Sequence, residues 1–380
     1  MRLTMDLCMV IPTAFDFNGD GHMDLIVGDE AGRIALMKHS GQVIDGIPIF
    51  LPPSYFQQEA DELNVGALAT PYGFDWNGDG LDDILSGNSE GQIVFFENLG
   101  GAPARWAAPK VLEVGGKPIR IMAGPNGSIQ GPSESKWGYT TLSVADWNHD
   151  GMPDLIVNSI WGKVVWHENL GSRRQPVLAE ARPIEVAWAG TTPAPAWNWW
   201  NPEPGTLATQ WRTTPVAVDW TGNGLTDLIM LDHEGYLALF KRVDRKGTLV
   251  LLPGERVFRL EGTSDPLRLN ARSRGGSGRR KIAIADFDSD GRLDLLVDGE
   301  NADMYRNLRD ENGVTIFQDR VPMDTRRLAG HDTSPTVIEL DGDGVPELLV
   351  GAEDGFLYHR KNSGRSAHRP TSGPPGKQAP

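Results

Sequence analysis

The chain carries a single cysteine, Cys8, among 380 residues. An internal disulfide is excluded, and one thiol leaves the redox compartment open. No apolar run approaches the roughly 20 residues that a membrane-spanning helix needs. The three- and four-residue spacing of an amphipathic helix is also missing. The opening stretch MRLTMDLCMVIP has no apolar core with a cleavage site, so no signal peptide is expected. Positive charge is short: 36 lysines and arginines face 51 aspartates and glutamates, for a net charge of −15. That balance argues against a nucleic-acid backbone as partner. Three chemistries lack their signatures. There is no G-x-S-x-G elbow, no glycine-rich phosphate cradle and no Cys/His zinc set.

What is present is a repeat. Hydrophobic residues make up 39% of the chain, which suits a globular protein. The segments DFNGDGHMD, DWNGDGLDD, DWNHDGMPD, DWTGNGLTD, DFDSDGRLD and ELDGDGVPE begin at residues 16, 75, 146, 219, 286 and 339. Twenty of the 51 acidic residues lie in these six loops, so six divalent cations would offset twelve of the fifteen negative charges. The acidity is therefore read as metal-site charge.

The surroundings of the loops repeat as well. A short apolar run precedes each, as in TLSVADW or KIAIADF. Another follows, as in DLIVGD or DLLVDG, and then a glycine turn and a third run, as in GQIVFFEN, GKVVWHEN and GFLYHRKN. Such β-branched and aromatic runs bounded by Gly, Asn and Asp read as strands. Several short strands per unit, repeated at intervals of 53 to 73 residues, predict an all-β protein. The expected architecture is a β-propeller of four-stranded blades, with six blades visible and seven possible. It would occupy residues 1–362. The Gly-, Pro- and Ser-rich stretch 363–380 is expected to be a disordered tail.

Each loop offers oxygens at positions 1, 3, 5 and 9, and alternate residues of a tight loop can point inward together. Ca²⁺ takes about six to eight hard oxygen ligands. Glycine at position 6 permits the sharp turn. A surface turn also favours Asp, Asn and Gly, but six copies with a ninth-position carboxylate favour Ca²⁺. The candidate ligands are Asp16, Asn18, Asp20 and Asp24; Asp75, Asn77, Asp79 and Asp83; and Asp146, Asn148, Asp150 and Asp154. The later loops offer Asp219, Asn223 and Asp227; Asp286, Asp288, Asp290 and Asp294; and Glu339, Asp341, Asp343 and Glu347. The loop at 219 has Thr221 and Asn223 where the others are richer in acid, so it is expected to bind most weakly.

This pattern resembles the FG-GAP/VCBS repeats, found in the propellers of integrin α-subunits and of many secreted bacterial proteins. The resemblance implies that the loop joins the first two strands of a blade and that its Ca²⁺ is structural. Weak loop sites fill at extracellular calcium levels, which favours a secreted, periplasmic or cell-surface protein.

In such a fold the segments leading into each first strand share a face with the turns between the second and third strands. That face collects Lys136, Trp137, Tyr139, Trp161, His233, Trp211, Arg212, Arg280, Lys281 and His331. An insertion over 187–212 adds Trp199 and Trp200. Indole faces stack on sugar C–H faces, and arginine suits a carboxylate. An acidic glycan is the expected ligand.

Two functions follow. Some propellers similar to this family are lyases of the rhamnose–glucuronate or ulvan type, which implies β-elimination at a uronate. Arg212 and Arg280 would bind the carboxylate, and His331, His233 or Tyr139 would move the proton. Lys136, Trp137, Trp161, Trp199, Trp200, Trp211 and Lys281 would hold the chain. The alternative is a lectin or adhesion propeller without chemistry.

Overall fold

A computed structural model describes residues 11–28, 34–56, 63–195, 200–271, 278–323, 327–328 and 333–362. The expected tail at 363–380 lies outside the described residues. The described chain is built from short strands, and its helical structure is one 3₁₀ turn at Pro132–Glu134. No helix among the described residues is long and apolar enough to cross a membrane.

Each repeat forms an antiparallel meander. The second, for example, pairs Thr70–Phe74 with Asp83–Gly87, then Ile93–Phe96, then Lys110–Val111. The acidic loop is the connection between the first two strands, and the glycine turn is the next one. The first, third and fifth repeats also give four-stranded sheets. The fourth and sixth give three strands each. An isolated bridge from Leu239 to Glu255 extends the fourth.

Alternation along the middle strands shows how the sheets associate. Asp154–Asn158 is buried throughout, because both of its faces are covered. Leu155 and Val157 point into a cluster shared with the second sheet, while Ile156 enters one shared with the fourth. Ile229 then joins the fourth sheet to the fifth, and Leu296 the fifth to the sixth. The last cluster returns to the start of the series. Ile338 and Leu349 of the sixth sheet pack with Ile84, Val94 and Phe96 of the second. Backbone bonds seal that junction: Asn64 bridges Phe356, and the Val65 amide donates to the Gly355 carbonyl at 3.1 Å. Gly73 and Gly351 let the backbones meet there. A Cβ on Gly73 would lie 2.4 Å from the Val337 carbonyl oxygen, and one on Gly351 2.4 Å from that of Ala69.

A cavity of about 190 Å³ lies between the first strands of five sheets, lined by Thr70–Gly73, Leu142, Thr214, Val216–Val218, Ile282–Ile284 and Ser334–Val337. The sequence shows six equivalent repeats, yet none of these lining residues comes from the first. That sheet, from Ile11 to Tyr55, has a small cluster of its own around Val27, Ala35 and Met37.

Candidate functional site

The acidic loops carry two kinds of carboxylate. Positions 1, 3 and 5 are mostly exposed or half-buried. The ninth-position side chains Asp24, Asp83, Asp154, Asp227 and Asp294 are buried, with 0–1% of their surface exposed. Each joins three parts of its sheet. Asp154 Oδ1 accepts the Asn169 amide at 2.7 Å and Oδ2 accepts the Trp147 amide at 3.0 Å. Asp83 does the same with Asn98 and Trp76, Asp227 with Arg242 and Thr221, Asp294 with Asn307 and Phe287, and Asp24 with His39 and Phe17. Burial pushes Asp83, Asp154 and Asp294 up to about 6 despite these bonds. These five carboxylates, expected as metal ligands alone, are thus also pins between the loop and the end of the third strand.

The asparagines that close the pin were not singled out from sequence, although EN recurs after the third run at Asn98 and Asn169. The sixth loop departs from the pattern. Glu347 is longer, and its carboxylate meets His359 Nε2 at 2.8 Å.

In two loops the carboxylate oxygens are compact enough for a metal. One oxygen from each of Asp286, Asp288 and Asp294 lies within 4.8 Å of the others, as does one from each of Glu339, Asp341 and Asp343. Oxygens on opposite sides of one Ca²⁺ are separated by about 5 Å, so the donor set fits a single hard cation. Cationic side chains also reach these loops. Arg306 pairs with Asp288 and Asp290, Arg292 with Asp290, and Lys361 with Asp341.

The opposite face is built by the segments leading into the first strands. Leu68, Tyr139 and Arg212 occupy matching places there, each with a positive φ of 59°, 48° and 60°. Their amides donate to the turns after the second strand of the preceding sheet, at Glu353, Ser89 and Ser159. This geometry brings aromatic residues of the third and fourth repeats together. Trp137 and Tyr139 meet edge to face at 4.9 Å, and Tyr139 and Trp211 at 6.4 Å. The Arg212 guanidinium stacks 3.5 Å from the Tyr139 ring centre. Trp161 and Trp200 border the cluster. Trp161 Nε1 donates to the Met122 carbonyl at 3.0 Å, and Trp200 Nε1 to the Trp161 carbonyl at 2.9 Å. Lys163 Nζ stands 4.4 Å from the Trp200 ring and 5.7 Å from Trp161.

Several expected ligand-binding residues are floor rather than surface. Trp211 has no exposed area, and Tyr139 and Arg212 are 4% and 3% exposed. The Tyr139 hydroxyl donates to the buried Glu134 carboxylate at 3.1 Å. Lys281 is buried and donates to the Arg279 carbonyl. Arg280 donates to the Leu269 carbonyl and pairs with Asp298 at 3.3 Å. Trp137, Trp161, Trp200 and Lys136 are half-buried. His233 lines a separate recess with Asp232 and Arg256. His331 and Trp199 lie outside the described residues. The structure therefore brings the aromatic residues together, while among the described residues Arg280 and His233 stand on other partners than the Tyr139–Arg212 pair.

Residues 75–157 and 286–350 match the model of the FG-GAP-like repeat. No match to the sequence was found among curated proteins. Among solved structures, AofleA from Arthrobotrys oligospora shares 9% identity at a TM-score of 0.38, over 92% of this chain and 81% of its own. The Aleuria aurantia lectin, in complex with alpha-methyl-L-fucoside, shares 10% at 0.36, over 94% and 92%. BBS1N in complex with ARL6DN shares 13% at 0.31, again over 94% and 92%. The two matched stretches hold four of the six acidic loops, so over those residues the chain carries FG-GAP-like repeats.

Proposed function

We propose that the chain is a five-bladed β-propeller with one additional repeat sheet, and that it binds carbohydrate without cleaving it. The half-buried indoles of Trp137, Trp161 and Trp200, set beside Lys163, carry this reading. Backbone acceptors fix the Trp161 and Trp200 ring planes. Rigid aromatic faces of this kind gain stacking contact at little entropic cost. The buried Tyr139–Arg212–Trp211 layer supports them from below. Five interlocked apolar clusters around one cavity support the blade number.

The lyase reading has less support. Its arginines are held by Asp298 or stacked under an aromatic ring, and Tyr139 already donates to a carboxylate. A glycan array is the direct test, with Trp161→Ala and Trp200→Ala as variants. Binding that falls at least tenfold in either variant, with unchanged melting, supports the platform. An array with no signal removes it. Uronate polysaccharides are expected to give a flat absorbance trace at 235 nm, and a rising trace would restore the lyase.

The acidic loops are proposed to hold Ca²⁺ through positions 1, 3, 5 and 9. The compact oxygens of the 286 and 339 loops support this. Chelation is expected to lower the melting temperature, and Ca²⁺ to restore it; indifference to both would exclude the sites. Millimolar extracellular calcium suits such loops, so the proposed location is secreted, periplasmic or at the cell surface.

A further inference from the structure

We infer that the recess between the third and fourth repeats is a second sugar subsite that takes a neutral pyranose in preference to a uronate. This rests on the carbohydrate reading above. The recess has a volume of about 340 Å³ and is lined by Trp188, Ala208, Asp232, His233, Phe240, Gly254 and Arg256. That is near the lower end of the ~300–1,000 Å³ usual for small-molecule sites, room for a mono- or disaccharide.

Its walls are apolar and its rim is polar. Phe240 and Ala208 are buried, and Trp188 meets Phe240 edge to face at 6.4 Å. The Trp188 indole nitrogen donates to the Thr206 carbonyl at 3.2 Å, so the ring is held in place. Gly254 keeps the wall thin, since a Cβ there would sit 2.7 Å from the Phe240 ring. The recess also adjoins the platform, because Ala208 bridges Lys163 in the backbone.

Charge decides the ligand class. Arg256 Nε donates to Asp232 Oδ2 at 2.6 Å, and its Nη2 pairs with Glu234. Its planar group also stacks 3.9 Å over Tyr236. Arg268 reaches the same rim, stacking 4.9 Å from Tyr236 and donating to the Glu234 carbonyl, so two arginines and two carboxylates balance there. A uronate carboxylate would have to compete with Asp232 and Glu234, which already hold the Nε–Nη2 edge of Arg256. Two of the five guanidinium N–H groups serve the acids, which leaves others able to donate to a hydroxyl. Paired donors and acceptors beside an aromatic wall recognise neutral hydroxyls, with apolar ring faces against Trp188 and Phe240.

The test is calorimetric and ligand-observed NMR titration of the full chain with methyl pyranosides of neutral hexoses and with methyl glucuronide. Ala208→Leu fills the recess without removing a hydrogen bond, and Trp188→Ala removes its wall. The expected result is binding of a neutral pyranoside, glucuronide weaker by at least tenfold, and at least fivefold loss in Ala208→Leu at unchanged melting temperature. If Trp188→Ala melts early, Ala208→Leu decides. Glucuronide binding as well as or better than its neutral parent overturns the charge argument. Binding untouched by Ala208→Leu but lost in Trp161→Ala confines recognition to the platform and overturns the recess alone. No binding to any glycan removes both readings.

Discussion

Asp150 and Asp154 stand four residues apart in one loop and hold different things. Asp154 is buried and accepts two backbone amides, whereas Asp150 is exposed. In Asp154→Ala the amides of Asn169 and Trp147 lose their acceptors. Each buried, unpaired group costs about 1–3 kcal/mol, so urea unfolding is expected to show a loss of about 2–5 kcal/mol even in chelator. Asp150→Ala should stay within about 1 kcal/mol in chelator and matter mainly with Ca²⁺ present. Equal losses in chelator would erase the distinction. Trp211→Ala is a core deletion, expected to cost about 3–5 kcal/mol, while Trp161→Ala should spare stability and weaken glycan binding. His167 is a third case. It is buried, its Nδ1 lies 2.9 Å from the Ala179 carbonyl, and burial holds its pKa below the usual 6.5. Between the lowered value and 6.5 the unfolded chain binds more protons. This stability is therefore complete above pH 6.5 and is lost as pH falls through the folded value, by at most about 1.4 kcal/mol per pH unit. The raised Asp83, Asp154 and Asp294 slope the other way between 3.8 and about 6. The difference between wild type and His167→Gln isolates the histidine; parallel curves would show that it does not titrate in this way.

At the scale of elements, strands and turns were legible because their signals are local. DLIVN reads as a buried strand and DWNHDG as a tight turn from a handful of neighbouring residues, and both form as read. Burial was not legible where it depends on a distant partner. Nothing beside Trp211 says that Tyr139 will pack against it, and nothing beside Arg280 announces Asp298. The double duty of the ninth carboxylate was hidden for the same reason, since its Asn169 partner arrives fifteen residues later. Loop composition should still rank the cation sites. The loop at 219, with Thr221 at its third position, is expected to fill last in a calcium titration. Thr221→Asp should tighten it, and an unchanged isotherm would mean that the site is not used.

For the molecule as a whole, the first repeat carries the same motif as the others, so local sequence does not separate it from the proposed five-bladed ring. The distinction comes from who packs on whom. Deleting residues 1–56 is expected to leave a folded ring with a melting temperature within a few degrees of the full chain, because its apolar cluster is its own. Gly351→Val drives a side chain into the Ala69 backbone and is expected to cost about 1–3 kcal/mol. A collapse of the deletion variant, or a silent Gly351→Val, would refute this closure. The closure also sets a schedule for biosynthesis. The Asn64 side chain bonds the Asp354 carbonyl across 290 residues of chain. A ribosome adds about 5–20 residues per second, so roughly 15–60 s pass between the making of the two halves of that seam. For that interval Ile84, Val94 and Phe96 on the flank of the second sheet have no sixth sheet to cover them. The nascent chain thus presents a sticky, strand-edged surface for most of its synthesis, and its yield in cells should depend on chaperones that shield such surfaces more than on the stability of the finished ring.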